Sequence, residues 1–180
     1  KALKRIETVI IGGPLAGTAT TFSILDILSS VGRDWELLHG QEPTDGVIFD
    51  TSLRTTTGAP YWDINNRRIT PDAALDEGPE PDLIIVPEIH IDPLSPLPED
   101  MLVAARWIAN AHSTGKLVTS VCSGAIVLAA SGILNGEVAT THWGVADLLA
   151  SRHPNIKVQK ERILIPTGEG HRIVTAGGAS

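Results

Sequence analysis

The stretch Ser120-Val121-Cys122-Ser123-Gly124-Ala125 constrains this chain more than any other. Lys116 to Val121 reads as a short buried strand, and Ser123 to Ser131 as a helix of small and aliphatic residues. Cys122 is the only cysteine and falls on the turn between them. A strand that turns sharply into a helix lifts the turn residue above the sheet and aims the first helical N–H groups at it. Those groups and the helix dipole favour a thiolate. Cys122 is therefore expected to face a pocket with a depressed pKa. The Ser123 and Gly124 amides are the candidate oxyanion hole, and Gly124 keeps side-chain bulk out of the pocket. The competing reading of a free cysteine is a small buried hydrophobe.

The rest of the chain alternates between strand and helix. Glu7 to Ile11 is a β-branched run ended by Gly12-Gly13-Pro14, and reads as a buried first strand. Phe22, Leu25, Leu28 and Val31 recur at helical spacing before Gly32. Trp35 to His39 alternates as a short second strand, so β-α-β is expected within the first 40 residues. Val47 to Phe49 is a further candidate strand, Thr51 to Arg68 favours turns, and Asp72 to Leu75 suits one helical turn. Asp82 to Pro87 is a buried strand followed by a proline-rich loop, at the strand end where open α/β sheets bind ligands. Pro98-Glu99-Asp100 opens a helix that runs to Gly115, with Met101, Ala105, Ile108, Ala109 and His112 on one face.

After the Cys122 block, Val138 to Thr140 suits a strand, and Gly144 to Arg152 a short helix ended by Pro154. Short strands follow at 156–158, 163–165 and 173–176, the last two joined by a Gly168-Glu169-Gly170 hairpin turn. The pattern predicts a three-layer α-β-α sandwich of flavodoxin-like type on a mostly parallel sheet. Residues 1–180 are expected to form one domain. The closing Gly177-Gly178-Ala179-Ser180 reads as the opening of a helix that would lie beyond Ser180.

Several function classes are excluded by composition. A formal charge of −7 argues against this segment gripping nucleic acid or an anionic membrane itself. One cysteine rules out an internal disulfide and multi-cysteine metal sites. No histidine pair has zinc spacing, so no metal and no cofactor is expected. No apolar run reaches the roughly 18 residues of a membrane helix, and a cytoplasmic location is the expectation.

His142, within Thr140-Thr141-His142-Trp143, is the candidate base for the thiol, with the threonines and Trp143 as a polar and aromatic rim. The competing reading is a histidine held by hydrogen bonds at a strand end. Asp147 and Glu137 are candidate orienting acids and, equally, solvated charges. Glu88 and His90 follow a neighbouring strand and are expected to border the same pocket, as is Gly13 after the first strand. His112 reads as a helix residue, and His39, His153 and His171 as surface residues. Gly12-Gly13-Pro14 is not a phosphate loop, for it lacks the Lys-Ser/Thr partner.

The run Ser120 to Ala129, then Gly132-Ile133-Leu134-Asn135-Gly136, then Ala139-Thr140-Thr141-His142-Trp143 closely resembles the ThiJ/PfpI superfamily. Within it, the likeness is to the amino-terminal domain of GlxA-type AraC-family transcriptional regulators. The resemblance implies a class I glutamine amidotransferase-like fold that senses a small-molecule effector. DNA would be bound only through a carboxy-terminal helix-turn-helix domain absent from this chain, and a homodimer is implied. The related enzymes are isonitrile hydratases. In them an acid follows the first strand near the cysteine; here that place falls at Thr18 to Thr20, and no Asp or Glu occurs between Glu7 and Asp26. The peptidase-like members carry histidine where this chain has Ser123. Glu88-Ile89-His90 stands where relatives often have glycine and is expected to fill or reshape the pocket. A ligand-sensing regulator domain is the first expectation. A Cys122-dependent hydratase or hydrolase is the second, and a redox sensor the third.

Overall fold

The computed structural model describes residues 2–42 and 46–178. In chain order the elements are β1 (Lys4–Ile11), α1 (Thr18–Ser30), α2 (Asp34–Leu38), β2 (Val47–Thr55), β3 (Tyr61–Trp62), β4 (Arg68–Ile69), β5 (Ala73–Ala74) and β6 (Leu83–Val86). They continue with α3 (Glu99–Ser113), β7 (Leu117–Val121), a 3-10 turn (Cys122–Gly124), α4 (Ala125–Ser131), β8 (Val138–Ala139) and α5 (Trp143–Arg152). β9 (Lys157–Val158), β10 (Leu164–Thr167) and β11 (Ile173–Ala176) complete the set. Ala179 and Ser180, on which the helix-opening reading partly rests, lie outside the described residues.

Among the described residues the main sheet has seven strands in the order β10-β11-β7-β6-β1-β2-β5. All its pairings are parallel except β10 with β11. The centre is apolar on both faces: Val9, Ile10, Ile84 and Val118 are fully buried. Strands buried on both sides need helices on both sides, which is why these β-branched runs demand the sandwich. α3 and α4 pack together against the sheet through Met101, Ala104, Ile108, Ile126 and Leu128, and α1 lies beside β2.

Three expectations fail in the first half. Trp35 to His39 is not a strand: Asp34–Leu38 forms the short helix α2, with Asp34 and Glu36 in its first turn. Acids suit a helix start, and Trp35 and Leu38 stay 71% and 81% exposed, so no sheet buries this segment. The partner that closes β-α-β is β2, and it extends far past Phe49. All eight residues of β1 pair with it, from Lys4↔Val47 to Ile11↔Arg54. The polar run Asp50-Thr51-Ser52 hides this strand from a hydrophobic reading. Arg54 is tolerated in the sheet because its Nη2 donates to the Pro79 carbonyl at 3.0 Å and its Nε to Ser52 Oγ at 3.1 Å, with Glu7 at 3.5 Å. Asp72 to Leu75 supplies the edge strand β5 instead of a helical turn, since Ala73 and Ala74 pair with Arg54 and Thr55.

The carboxyl ends of β1, β6, β7 and β11 converge on one rim of the sheet. Parallel pairing in register brings Val86 beside Ser120, and Val121 beside Ala176. The loops leaving those strands therefore meet around Cys122.

Candidate functional site

Cys122 sits on a strained turn. Its φ is +57°, one of three positive values among the described non-glycine residues. A side chain in this region costs roughly 1–2 kcal/mol, and such strain gathers at sites where a residue must be presented. The surroundings enforce it. Gly124 has an ordinary helical φ of −57°, but a Cβ there would lie 2.5 Å from both the Val86 and Pro87 carbonyl oxygens. The turn thus packs directly on the end of β6. Ser123 locks the contact from its side chain: Oγ donates to the Ile89 carbonyl at 2.7 Å and accepts the Ile89 N–H at 2.9 Å. Gly178 presses from the other side, with a φ of +79° and room for no Cβ, since one would meet Cys122 Cβ at 2.8 Å.

Thr141 clamps the turn, Thr140 ties the same segment to its neighbours, and neither forms a rim. Both residues are buried. Thr141 Oγ1 donates to the Cys122 carbonyl at 2.8 Å, Thr140 Oγ1 to the Arg162 carbonyl at 2.7 Å, and the Thr140 N–H to Thr175 Oγ1 at 2.9 Å. His142 follows as the N-cap of α5, its Nδ1 accepting the Gly144 N–H at 3.1 Å. That bond leaves the proton of a neutral ring on Nε2, which makes Nε2 a donor and unsuits it to take a proton from sulfur. Among the described residues no hydrogen bond links His142 to Cys122. Trp143 is 64% exposed and tilts against the His142 ring at 5.1 Å, outside the cavity lining.

A cavity of about 360 Å³ opens at this turn, lined by Glu88, Ile89, His90, Ile91, Cys122, Ser123, His142 and Val145. It unites Cys122, Ser123, His142, Glu88 and His90 from the sequence reading. Gly124 lies behind the turn, packed on β6. Gly13 belongs to a different, smaller hollow with Thr55, Tyr61 and Asp100. Ile91 and Val145 were not legible as lining residues, because an isolated aliphatic residue carries no signal of what it faces. A larger hollow of about 640 Å³ lies between α1, α2 and β2, but its lining brings together no cysteine or histidine. The candidate orienting acids stand elsewhere: Glu137 accepts from Thr167 and the Gly168 N–H, and Asp147 is exposed beside Lys160.

The expected depression of the Cys122 pKa is reversed. Burial pushes the thiol up, the adjacent Ser123 amide pulls it down less, and the Glu88 carboxylate pushes it up again. Only a short 3-10 turn and the seven-residue α4 follow the cysteine, so the helical field is modest. Among the described residues no group of three or more His, Cys, Asp or Glu is placed to hold a metal ion. No helix there is long and apolar enough to cross a membrane.

Residues 49–179 match the DJ-1/PfpI family. The chain belongs to this family. Over 159 residues, 88% of its length, it is 26% identical to the HTH-type transcriptional regulator CdhR of Pseudomonas aeruginosa, of which it spans 44%. Over 82 residues, 46% of its length, it is 38% identical to the isonitrile hydratase of Pseudomonas putida, of which it spans 35%. The chain thus spans less than half the length of these curated relatives. Among solved structures, an AraC family transcriptional regulator from Pseudomonas putida superposes with a TM-score of 0.65 at 15% identity, covering 97% of this chain and 84% of that one. That likeness shows a shared fold, the DJ-1/PfpI sandwich with its cysteine at the strand-to-helix junction.

Proposed function

We propose that this DJ-1/PfpI chain is the ligand-sensing domain of an AraC-type transcriptional regulator, and that a small-molecule effector binds beside Cys122 without being turned over. The observation that carries the reading is the match to a helix-turn-helix regulator along 88% of the chain. The site supports it: a thiol kept protonated by burial and by Glu88 is a poor nucleophile, and the nearby imidazole is oriented as a donor. Cys122, Ser123, His142, Glu88 and His90 would contact the effector, with Trp143 at the outer edge. DNA would be bound by a helix-turn-helix domain encoded beyond Ser180, which suits a segment of charge −7. The regulator would act in the cytoplasm as a homodimer.

The second reading is a cysteine-dependent hydratase. Its support is the 38% identity to isonitrile hydratase and the strained turn that presents Cys122. One experiment separates the two. The purified full-length protein is screened against small metabolites for a rise in melting temperature, and each binder, with a panel of isonitriles, is followed for consumption. A regulator domain gives a binder that alters DNA retention and is recovered unchanged. Consumption of an isonitrile, abolished by Cys122→Ala, would overturn the sensing proposal.

A further inference from the structure

We infer that Glu88 is the acidic partner of Cys122, delivered by the loop after β6 to the place that the first-strand loop leaves without an acid. The geometry is specific. The loop is laced to the start of α1 by backbone bonds: the Gly17 N–H donates to the Glu88 carbonyl at 2.9 Å, and the His90 N–H to the Leu15 carbonyl at 2.7 Å. The Glu88 side chain then lies over Gly17, where an added Cβ would collide with Oε1. Thr20 Oγ1 donates to the same Oε1 at 3.1 Å. Thr20 is thus the hydroxyl that receives an acid coming from across the pocket. Gly17 supplies the room, and Glu88 lines the cavity together with Cys122.

The charges around this pair set its behaviour. From the loop after β6 the cavity receives Glu88 and His90, and from the N-terminus of α5 it receives His142. The start of α1 contributes the neutral Thr20. Asp147 on α5 is exposed and engaged with Lys160. Among the described residues no Lys or Arg forms an ion pair with Glu88. A Cys122 thiolate would therefore share its cavity with a carboxylate that has no ion-pair partner, and that negative charge disfavours a second one nearby. Burial favours the Cys122 thiol most, Glu88 adds to it from inside the same cavity, and neutralising Glu88 shifts the balance toward the thiolate. Glu88 acts here as a positioning residue that sets the reactivity of its neighbour.

Cys122 is the only cysteine among these 180 residues, so peptide mapping of the labelled protein, with Cys122→Ser as the control, isolates its rate. Two arms test the inference. In the first, iodoacetamide alkylation, in which sulfur displaces iodide, is followed against pH for wild type, Glu88→Gln and Glu88→Asp. Glu88→Gln is expected to alkylate roughly three- to tenfold faster at pH 7 and to shift the rate profile to lower pH, part of the gain being offset by the weaker nucleophilicity of a more acidic thiol. Glu88→Asp keeps the charge and is expected to stay close to wild type. A Glu88→Gln profile unchanged or moved to higher pH, with an unchanged far-UV spectrum, overturns the inference. The second arm needs no variant. Cationic and anionic methanethiosulfonates, from which the thiolate displaces methanesulfinate, are compared on wild type in ~0.5 M salt, where surface charge is screened within a few ångströms. A cation-to-anion rate ratio at least about tenfold above that of the urea-unfolded chain supports a charged Glu88 at the sulfur. An equal or inverted ratio overturns it. Neither readout involves an effector or DNA, so failure here leaves the regulator proposal standing, and failure of that proposal leaves this one standing.

Discussion

Thr141 Oγ1 donates a 2.8 Å hydrogen bond to the carbonyl oxygen of Cys122. The bond joins the two sequence blocks that mark this chain, and it holds a cysteine whose φ of +57° would otherwise relax. The hydroxyl lies on a buried side chain, so the pair is shielded from competing water.

Thr141→Val keeps the shape of the side chain and removes the donor. It is expected to cost about 1 kcal/mol, the net worth of one part-buried hydrogen bond. Thr141→Ser should recover most of the loss. Urea unfolding midpoints check both, and equal midpoints for wild type and Thr141→Val would remove the clamp from the account.

Gly124 and Gly136 separate space from backbone freedom. Gly124 has a helical φ of −57° yet no room for a Cβ against two β6 carbonyls. Gly136 has a φ of +80° and open space around it. Gly136→Ala is expected to cost about 1–2 kcal/mol, the price of a left-handed side chain. Gly124→Ala should cost at least about 3 kcal/mol, because the clash is with backbone that cannot swing aside. Thermal or urea unfolding of the two variants ranks them, and the reverse order would contradict the packing of the turn on β6.

The raised Cys122 pKa makes stability fall at alkaline pH. The native thiol binds its proton more tightly than the unfolded one, so the native state holds more protons in the window between the two pKa values. The stabilisation is complete below the unfolded value of about 8.5 and is lost as pH rises through the native value. Cys122→Ser has no group titrating there, and its alkaline slope should be flatter than that of wild type in urea unfolding at stepped pH. Identical slopes would argue for an unperturbed thiol.

Asp63 gives the opposite sign. Its buried carboxylate accepts from Thr18 Oγ1 at 2.6 Å, from the N–H groups of Asn65 and Arg67, and from Arg67 Nε at 2.9 Å. These bonds lower its pKa to about 2, the Thr18 hydroxyl contributing most. The unfolded chain then binds the proton first, so the contribution is complete above about pH 4 and is lost as pH falls through the native value. Asp63→Asn is expected to be less stable at pH 7 and to lose less on acidification. Because Asp63 ties the β3–β4 turn to the first residue of α1, Asp63→Asn should also raise amide exchange at the start of α1. Unchanged exchange there would show that Asp63 does not hold the start of α1.

The elbow was legible because three cues coincide: an apolar strand, small residues after it, and one cysteine between. The helix over Glu99–Ser113 was legible from Pro98, its two leading acids and its apolar stripe. β2 was not, because Thr51 and Arg54 are polar residues whose partners lie on other segments. Glu88 shows the same limit at the site. Sequence placed it near the pocket and noted that Thr18 to Thr20 holds no acid, but nothing along the chain joins those two facts.

The sequence by itself determined an α/β sandwich and the place of Cys122, because hydrophobic period, glycine positions and a strand-to-helix turn are local properties written in consecutive residues. Only the tertiary structure decided the chemical state of that cysteine. Its protonation depends on burial and on a carboxylate 34 positions away in the chain, and electrostatic energy follows distance in space, not separation in sequence.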